Sequence, residues 1–499
     1  MAFYVTTPIF YVNAVPHLGH AYSTIGADIL ARHHRQRGED VFFLTGTDEH
    51  GEPVALAAER EGISPKEMAD RNAQRFQDLL PLINASNDFF IRTTDERHKR
   101  AVQAVMQQIY DNGHVYKGTY EGWYCPRCAD FKSENETGPA NTCLIHEIPL
   151  LRENEENWFF RLSAFQEPLE KLYADNPEFT TPRIRYNEAL SFIKGGLQDI
   201  SLSRAKLTWG VPVPWDETHV FYVWFDALLN YYTALGFADP DRDLTDTFWP
   251  ATIHVLGKDI LKFHAVIWPA MLLAAGIELP EMVFIHGYLL MDDKKMSKSL
   301  GNVLDPFAII DQFGTDALRF YCVREVSFGV DGEVSPKTFE DRYTTELAND
   351  YGNLASRTLN MLRRYTGAQV PDAPLDAALQ AEFEPLPQEV SDHLDSAELT
   401  QALERIWVRV RRLNRYVEEH APWKLAKDPA ETEHLHTVLR SLHEGLRCVT
   451  VLLHAYLPAS TAKLLTALGD ERTDAAAAEY GAGAPGAVIG DLDPLFPKP

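Results

Sequence analysis

The opening of the chain, residues 3–46, constrains the fold more than any other stretch. An apolar, β-branched run at residues 3–7 predicts a strand, and the spacing of Ile25, Ile29 and Leu30 predicts a helix that ends near Gly38. A second apolar run at residues 41–44 completes a strand–helix–strand unit. Because parallel strands need a crossover of this kind, the sequence predicts an α/β domain with a doubly wound parallel sheet.

The turn that starts this helix carries His17, Gly19 and His20. The two histidines share one helix face, beside unpaired backbone N–H groups and the positive end of the helix dipole, where phosphate binds well. Gly19 has no side chain, so that a flat ring can approach the backbone there. The alternative is that both histidines are surface or capping residues of an ordinary helix, and this short motif alone does not separate the two interpretations.

A second polar cluster, Lys-Met-Ser-Lys-Ser at residues 295–299, follows a strand-like run at residues 283–290. Lys295 and Lys298, with two hydroxyl groups between and after them, suit a polyphosphate that must be held and then released. Two clusters of this kind in one chain favour nucleotide chemistry over simple helix capping.

A Cys-x-x-Cys pair is followed after fourteen residues by Cys-x-x-His, which supplies Cys125, Cys128, Cys143 and His146. Three thiolates and one imidazole form a closed tetrahedral set, so this spacing predicts one structural Zn²⁺ and not a catalytic one. The alternative is four unrelated buried residues. Five cysteines in a chain without a predicted secretory leader argue against a disulfide framework.

Together these motifs carry a resemblance to a known family. Residues 17–20 (HLGH) and 295–299 (KMSKS) resemble the two signatures of class I aminoacyl-tRNA synthetases. Residues 7–13, 46–51, 222–227 and 257–259 are similar to the methionyl-tRNA synthetases within that family, and the resemblance covers almost the whole chain. It implies ATP-dependent charging of tRNA(Met) with methionine by way of methionyl-adenylate.

The resemblance also implies a domain order. The expected parts are a Rossmann-type catalytic domain in two halves (1–113 and 216–302), a connective insertion with the zinc knuckle (114–215), a stem-contact segment (303–345), and an all-α anticodon-binding bundle with a C-terminal tail (346–499). Apolar residues recurring every three or four positions across 399–417 and 435–453 independently predict the helix bundle. The proline- and acid-rich residues 367–387 predict a long surface connection.

At the ATP site, the resemblance implies that His17 and His20 contact the phosphates beside Gly19, while Lys295 and Lys298 stabilise the leaving pyrophosphate. Mg²⁺ is expected to accompany ATP. Gly257 and Asp259, at the end of a predicted strand, are expected to bind ATP, with the carboxylate accepting bonds from the ribose hydroxyls. Asp259 could instead be a helix N-cap.

Two further sets of residues are assigned by the resemblance. Asp48 is expected to hold the α-amino group of methionine, while Glu49 beside it is expected to cap the next helix. The expected methionine-binding residues are Ile9, Tyr11, Asp48, Trp224, Tyr231, Phe263 and His264. The expected anticodon-reading residues are Asn353, Arg357 and Trp423, a trio that can stack on and hydrogen-bond to splayed bases.

Charge and hydropathy set further expectations. The net charge of −25 requires any positive RNA-binding surface to be local. A row of arginines in the bundle offers one, although a solvated helix face is the alternative: Arg405, Arg409, Arg411, Arg412 and Arg415. The longest apolar run is shorter than a membrane span, so a cytoplasmic protein without membrane contact is expected. No further tRNA-binding module is expected after the bundle, so a monomer is expected.

Three rival functions remain at this point. A synthetase for another amino acid would share both signatures, although those for leucine, isoleucine and valine need a larger insertion than residues 114–215 provide. Small nucleotidyltransferases share the H-x-G-H chemistry but lack the insertion and the helical half. A non-catalytic tRNA-binding relative is expected to lose the histidines or lysines, which this chain keeps.

Overall fold

A computed structural model describes residues 2–13, 15–126, 130–132, 137–145, 147–291, 294–295 and 305–497. Its strands in chain order are β1 (Ala2–Tyr11), β2 (Asp40–Asp48), β3 (Phe89–Arg92), β4 (Val115–Cys125), β5 (Asp130–Lys132), β6 (Thr137–Gly138), β7 (Thr142–Cys143), β8 (Leu151–Phe160), β9 (Thr180–Thr181), β10 (Ile200–Ser201), β11 (Ser203–Arg204), β12 (Pro212–Val213), β13 (Asp216–Phe221), β14 (Ile253–Gly257), β15 (Met282–His286), β16 (Leu289–Met291), β17 (Lys294–Lys295) and β18 (Gly332–Glu333).

Its α-helices are α1 (Leu18–Gln36), α2 (Glu52–Glu61), α3 (Pro65–Leu82), α4 (Glu96–Asp111), α5 (Gln166–Asp175), α6 (Arg183–Lys194), α7 (Val223–Ala227), α8 (Asn230–Thr233), α9 (Thr245–Phe248), α10 (Trp268–Ala275), α11 (Pro306–Phe313), α12 (Thr315–Arg324), α13 (Pro336–Arg342), α14 (Asn353–Thr366), α15 (Ala377–Phe383), α16 (Leu386–Asp395), α17 (Leu399–His420), α18 (Pro422–Leu425), α19 (Thr432–Leu453) and α20 (Pro458–Leu468). None of the helices in the described ranges is both long enough and apolar enough to cross a bilayer.

The central sheet has the strand order β3-β2-β1-β14-β15-β9, and its neighbouring strands are parallel. From β1 the chain winds outward through β2 and β3, and from β14 it winds the other way through β15. The carboxyl ends of β1 and β14 therefore flank a topological switch point, where ligands bind in open α/β sheets. The predicted doubly wound sheet is confirmed.

The insertion is built around a long antiparallel pair, β4 and β8, in register from Val115–Phe160 to Tyr124–Leu151. In one respect it differs from the expected boundary at residues 114–215. Strand β9 lies within that range yet pairs with β15 and forms an edge of the central sheet. The chain therefore enters the central sheet at β9 and then returns to the insertion, where β10 pairs with β8.

The helical half confirms the predicted bundle, with α17 and α19 as its two longest helices. The apolar positions predicted to face its core are buried, including Ile406, Val410, Leu442 and Leu446. The prediction of a surface connection across 367–387 is wrong. Helix α15 forms there because Asp376 caps its first N–H groups, and Leu379 and Phe383 on its inner face pack into the core.

Candidate active site

A cleft of about 670 Å³ opens at the switch point of the central sheet. It brings together residues that are separated by more than 250 positions in the sequence. Twelve of the predicted site residues line it: Ile9, Tyr11, His17, Gly19, His20, Asp48, Trp224, Tyr231, Gly257, Asp259, Phe263 and His264. Lys132 and Ile145 of the insertion also line it. Sequence analysis missed these two, because nothing in their local pattern indicates that the insertion folds back over the cleft.

His17 and His20 form the start of helix α1. The backbone N–H of Gly19 donates to Nδ1 of His17, and the backbone N–H of His17 donates to Nδ1 of His20. Each donor–acceptor distance is 3.1 Å. The two rings stack with their centroids 3.8 Å apart. Since both Nδ1 atoms accept, a neutral ring carries its proton on Nε2 and can donate there. The capping interpretation and the phosphate interpretation are therefore compatible: capping orients the rings.

Asp48 lies at the carboxyl end of β2, directly across from Tyr11 in the register of β1. It is buried, and among the described residues its Oδ1 has no hydrogen-bond partner. Burial, together with the negative charges of Asp226 and Glu49, raises the pKa of Asp48 well above its ordinary value. A cationic ligand that bound this oxygen would restore the ionised form.

Glu49, the next residue, has a different task. Its buried carboxylate accepts bonds from Arg92 at 2.6 and 2.8 Å and from the hydroxyl of Thr47 at 2.7 Å. The prediction that Glu49 caps the next helix is wrong, since the N-cap residue of α2 is Gly51. Glu49 instead ties the end of β2 to β3 through Arg92.

Beneath Asp48 lies a buried polar network that sequence analysis missed. Asp226 accepts from Nδ1 of His50 at 2.6 Å and from Nε2 of His98 at 2.8 Å, and His98 also contacts the hydroxyl of Thr233. Burial opposes ionisation, but the two imidazoles outweigh it and lower the pKa of Asp226 to about 2. The network joins β2, α4 and α7 below the cleft, and no short motif could have predicted it.

One wall of the cleft is aromatic. Trp224 and Phe263 stack with their ring centroids 3.8 Å apart and their planes 10° apart, and Tyr11 meets Trp224 edge-on. Phe263 and His264 lie in a π-helical segment, Phe263–Ile267, which widens the turn before α10. Tyr231 completes this wall from α8.

His264 is the polar member of the wall. Its Nδ1 donates to the carbonyl of Ile260 at 3.0 Å, and its Nε2 accepts from the hydroxyl of Tyr231 at 2.8 Å. Burial lowers the pKa of His264 to about 4. The imidazole is therefore neutral at physiological pH, and this wall of the cleft presents no net charge to a ligand.

The other end of the cleft is formed by the turn after β14. Asp259 lies inside the 3₁₀ turn Lys258–Ile260, whose N-cap residue is Gly257, so the alternative that Asp259 is an N-cap is wrong. A Cβ at position 257 would lie 2.7 Å from Oδ1 of Asp259, so a larger residue there would require this carboxylate to move. Nearby, Lys258 pairs with Asp331 at 2.5 Å and lies 4.3 Å from the centroid of the Tyr288 ring.

The zinc and lysine predictions lie only partly within the described residues. Cys125 and Cys143 are buried in one small cluster with Leu150, whereas Cys128 and His146 lie outside the described residues. Within the described ranges no group of three or more metal-ligating side chains occurs. Lys295 is described only as part of strand β17, antiparallel to β16, and Lys298 lies outside the described residues.

The predicted anticodon residues lie in helices of the bundle. Asn353, which is exposed, begins α14, and Arg357 on the same helix pairs with Glu418 near the end of α17 at 2.6 Å. Trp423, in the short helix after α17, is 37% exposed. By contrast, the arginine row is largely neutralised, because Arg411 pairs with Glu404 and Arg412 pairs with Glu382 and Glu419.

Comparisons with known proteins identify the family of this chain. A family model described as "tRNA synthetases class I (M)" matches residues 3–145 and 139–359. The methionine–tRNA ligase of Rhizobium meliloti is 45% identical over 513 residues, covering 99% of this chain and 98% of the relative. That of Streptomyces coelicolor is 43% identical over 520 residues, covering 100% and 96%.

Solved structures agree as well. Mycobacterium tuberculosis methionyl-tRNA synthetase bound by methionyl-adenylate superposes with a TM-score of 0.96 at 41% identity, with both chains fully covered. Its free form gives a TM-score of 0.88 at 38% identity, covering 100% of this chain and 98% of the other. The chain therefore belongs to the class I tRNA synthetases and, within them, to the methionyl-tRNA synthetase family.

Proposed function

We propose that this protein is a methionine–tRNA ligase, which activates methionine with ATP and transfers it to the 3′-terminal ribose of tRNA(Met). One observation carries the assignment within the family. A buried carboxylate oxygen of Asp48 lies in the same cleft as an uncharged aromatic wall and two imidazoles at a helix start. Such a cleft fits an α-ammonium group, an unbranched thioether side chain and phosphates.

The first step needs alignment more than it needs a base. The carboxylate of methionine is already a nucleophile: its oxygen forms a bond to the α-phosphorus of ATP as the bond to the β-phosphate oxygen breaks, releasing pyrophosphate. Nε2–H groups of His17 and His20 would donate to the phosphates, and Lys295 and Lys298 would neutralise the leaving pyrophosphate. Mg²⁺ that arrives with ATP supplies further charge neutralisation.

In the second step a hydroxyl of the terminal ribose attacks the carbonyl carbon of the adenylate and AMP leaves. Lys132 and Ile145 place the insertion at the mouth of the same cleft, where the end of a tRNA has to enter. The bundle would bind the anticodon through Asn353, Arg357 and Trp423, since exposed aromatic and amide groups suit unstacked bases.

Methionine would be selected by the aromatic wall. A thioether makes favourable contacts with aromatic rings and cannot donate a hydrogen bond. Trp224, Phe263 and the neutral His264 present such surfaces and carry no charge that would require a charged substrate. Ile9 and Tyr231 close the sides of this pocket.

We further propose that Cys125, Cys128, Cys143 and His146 hold one structural Zn²⁺. The support is that the two described thiols lie buried in one cluster. The backbone carbonyl of Cys143 also accepts from the N–H of Glu147 at 2.8 Å, which turns the chain directly after this cysteine. Four protein ligands leave no open position, so no step of the reaction passes through the metal. Elemental analysis is expected to give one zinc per chain, and chelation is expected to lower the melting temperature.

The protein is proposed to act as a cytoplasmic monomer. The decisive experiment is amino-acid-dependent exchange of labelled pyrophosphate into ATP without tRNA, with all twenty amino acids run in parallel. Exchange with methionine alone is expected. Exchange with another amino acid would overturn the pocket assignment, and absence of exchange with any of them would favour a non-catalytic relative.

A further inference from the structure

Helix α1 connects the two functional halves of the molecule. It has 19 residues, which corresponds to a length of about 28 Å. Its first turn carries His17 as N-cap and His20, both lining the cleft. Its other end contacts the helix bundle, so a single rigid element extends from the proposed ATP site to the RNA-binding half.

The centre of α1 is held by a fully buried ion pair. A terminal nitrogen of Arg319 in α12 lies 2.8 Å from Oδ2 of Asp28, and both side chains have no exposed surface. Oδ1 of Asp28 accepts from the N–H and the hydroxyl of Ser86, each at 2.6 Å. Burial opposes ionisation of Asp28, but the positive charges of Arg319 and Arg32 outweigh it and lower its pKa.

Arg319 also contacts the bundle through two of its nitrogens, while its other terminal nitrogen donates to the carbonyl of Ile83 at 3.1 Å. Its Nε donates to the carbonyl of Tyr456 and one terminal nitrogen donates to the carbonyl of Ala455, each at 2.9 Å. These carbonyls follow the end of α19, the long inner helix of the bundle. One guanidinium therefore joins the middle of α1 to the residues that follow α19.

The last turn of α1 adds a second set of contacts. Gln36 donates to the carbonyls of Val451 at 3.0 Å and Thr473 at 2.7 Å. Arg37, just after the helix, pairs with Asp395 at the end of α16 at 2.5 Å. Three separate bundle segments, from α16, α19 and the chain after α20, therefore fix the far end of the histidine-bearing helix.

We propose that Asp28 and Arg319 are positioning residues for His17 and His20, and that α1 transmits the position of the bundle to the ATP site. This inference rests on the proposed function, in which the histidines hold the phosphates of ATP. A displacement of about 1 Å in a reacting group can cost about a hundredfold in rate. The methionine pocket is different, because Asp48, Trp224 and Phe263 lie on other elements.

The test compares the effect of one substitution on the use of ATP with its effect on the binding of methionine. Arg319→Lys keeps the charge but loses the fork that joins Asp28 to both carbonyls. It is expected to lower kcat/KM for ATP in methionine-dependent pyrophosphate exchange at least tenfold. The Kd for methionine without ATP, followed by tryptophan fluorescence, is expected to stay within twofold of the parent protein.

Arg447→Lys is the matched control. Arg447 is also fully buried, pairs with Glu444 at 2.6 Å and donates to the carbonyl of Glu479 at 2.8 Å, all within the bundle and its tail. It is expected to lower the melting temperature as Arg319→Lys does, while kcat/KM for ATP stays within twofold. Equal losses in both variants, or a parallel loss of methionine affinity in Arg319→Lys, would overturn the proposal.

A third variant keeps the test decisive if Arg319→Lys does not fold. Gln36→Ala combined with Arg37→Ala removes the contacts of the half-exposed end of α1, and kcat/KM for ATP is expected to fall two- to fivefold with unchanged methionine Kd. An unchanged value for ATP would overturn the coupling. The parent protein provides the separate check, since its failure to exchange with methionine would overturn the proposed function itself.

Discussion

Two buried aspartates at the base of the cleft differ in what they contact. Asp226 has an imidazole on each side, and its pKa is lowered to about 2. Asp48 is equally buried, but Oδ1 has no partner among the described residues and its pKa is raised. Two equally buried aspartates therefore differ: Asp226 has its charge balanced within the fold, and Asp48 does not.

This difference distinguishes a buried carboxylate that stabilises the fold from one that binds a ligand. A buried carboxylate without a cation is costly, and a fold retains it where a ligand supplies the missing charge. The paired carboxylate stabilises the fold, and we propose that the other pairs with the ammonium group of methionine. Glu49 follows the same rule on the structural side, because Arg92 completes its contacts.

The comparison predicts its largest effect at Asp48. Asp48→Asn is expected to lower methionine-dependent pyrophosphate exchange about 10³-fold, since losing one partner of a buried ion pair costs roughly 3–5 kcal/mol. The same change is expected to raise the melting temperature at pH 8. A carboxyl with a raised folded-state pKa loses stability as the pH rises through that value, and an amide cannot ionise.

Scanning calorimetry measures the melting temperature of Asp48→Asn, and pyrophosphate exchange on the same preparation measures its activity. A variant that is both inactive and less stable would contradict the assignment, since Asp48 would then be a structural residue like Asp226.

Asp226→Asn is expected to lower the stability of the protein, whereas Asp48→Asn is expected to raise it. An amide has only one oxygen to accept from His50 and His98, so the variant is expected to lose about 3 kcal/mol of unfolding free energy at pH 7. The parent's stabilisation from Asp226 is present above pH 4 and is lost as the pH falls toward 2, so the difference between the two proteins should narrow in acid. Urea unfolding followed by tryptophan fluorescence at several pH values measures this. A constant difference down to pH 2 would contradict it.

The raised pKa of Asp48 also predicts a pH dependence of binding. Methionine binds as the ammonium form and needs the ionised carboxylate, so its Kd should rise by up to about tenfold per pH unit below the raised pKa. Titration calorimetry from pH 5 to pH 8 tests this. The dependence is expected to vanish in Asp48→Asn, and a flat profile in the parent would mean that another group holds the ammonium.

Sequence reasoning reached the cleft residues because they lie in contiguous motifs at strand ends, such as Asp48 after β2 and His17 before α1. It did not reach His98 or Asp331, because their partners come from distant segments and only the fold brings them together. It also misjudged Glu49 and residues 367–387. In both cases tertiary packing decided the outcome, through Arg92 for the one and through Leu379 for the other.

The same rule extends to the bundle, where it predicts the smallest effects. Trp423 is exposed in the short helix α18, and Trp423→Ala is expected to weaken tRNA(Met) binding about tenfold, since stacking on a base is worth roughly 1–3 kcal/mol. Arg411 already pairs with Glu404, so Arg411→Gln is expected to change the Kd less than threefold. Filter binding at one fixed salt concentration compares the two, because phosphate contacts depend strongly on salt. If Arg411→Gln weakened binding more than Trp423→Ala, the arginine row would be the RNA surface. The rule that a side chain with a partner inside the fold does not bind a ligand would then be wrong.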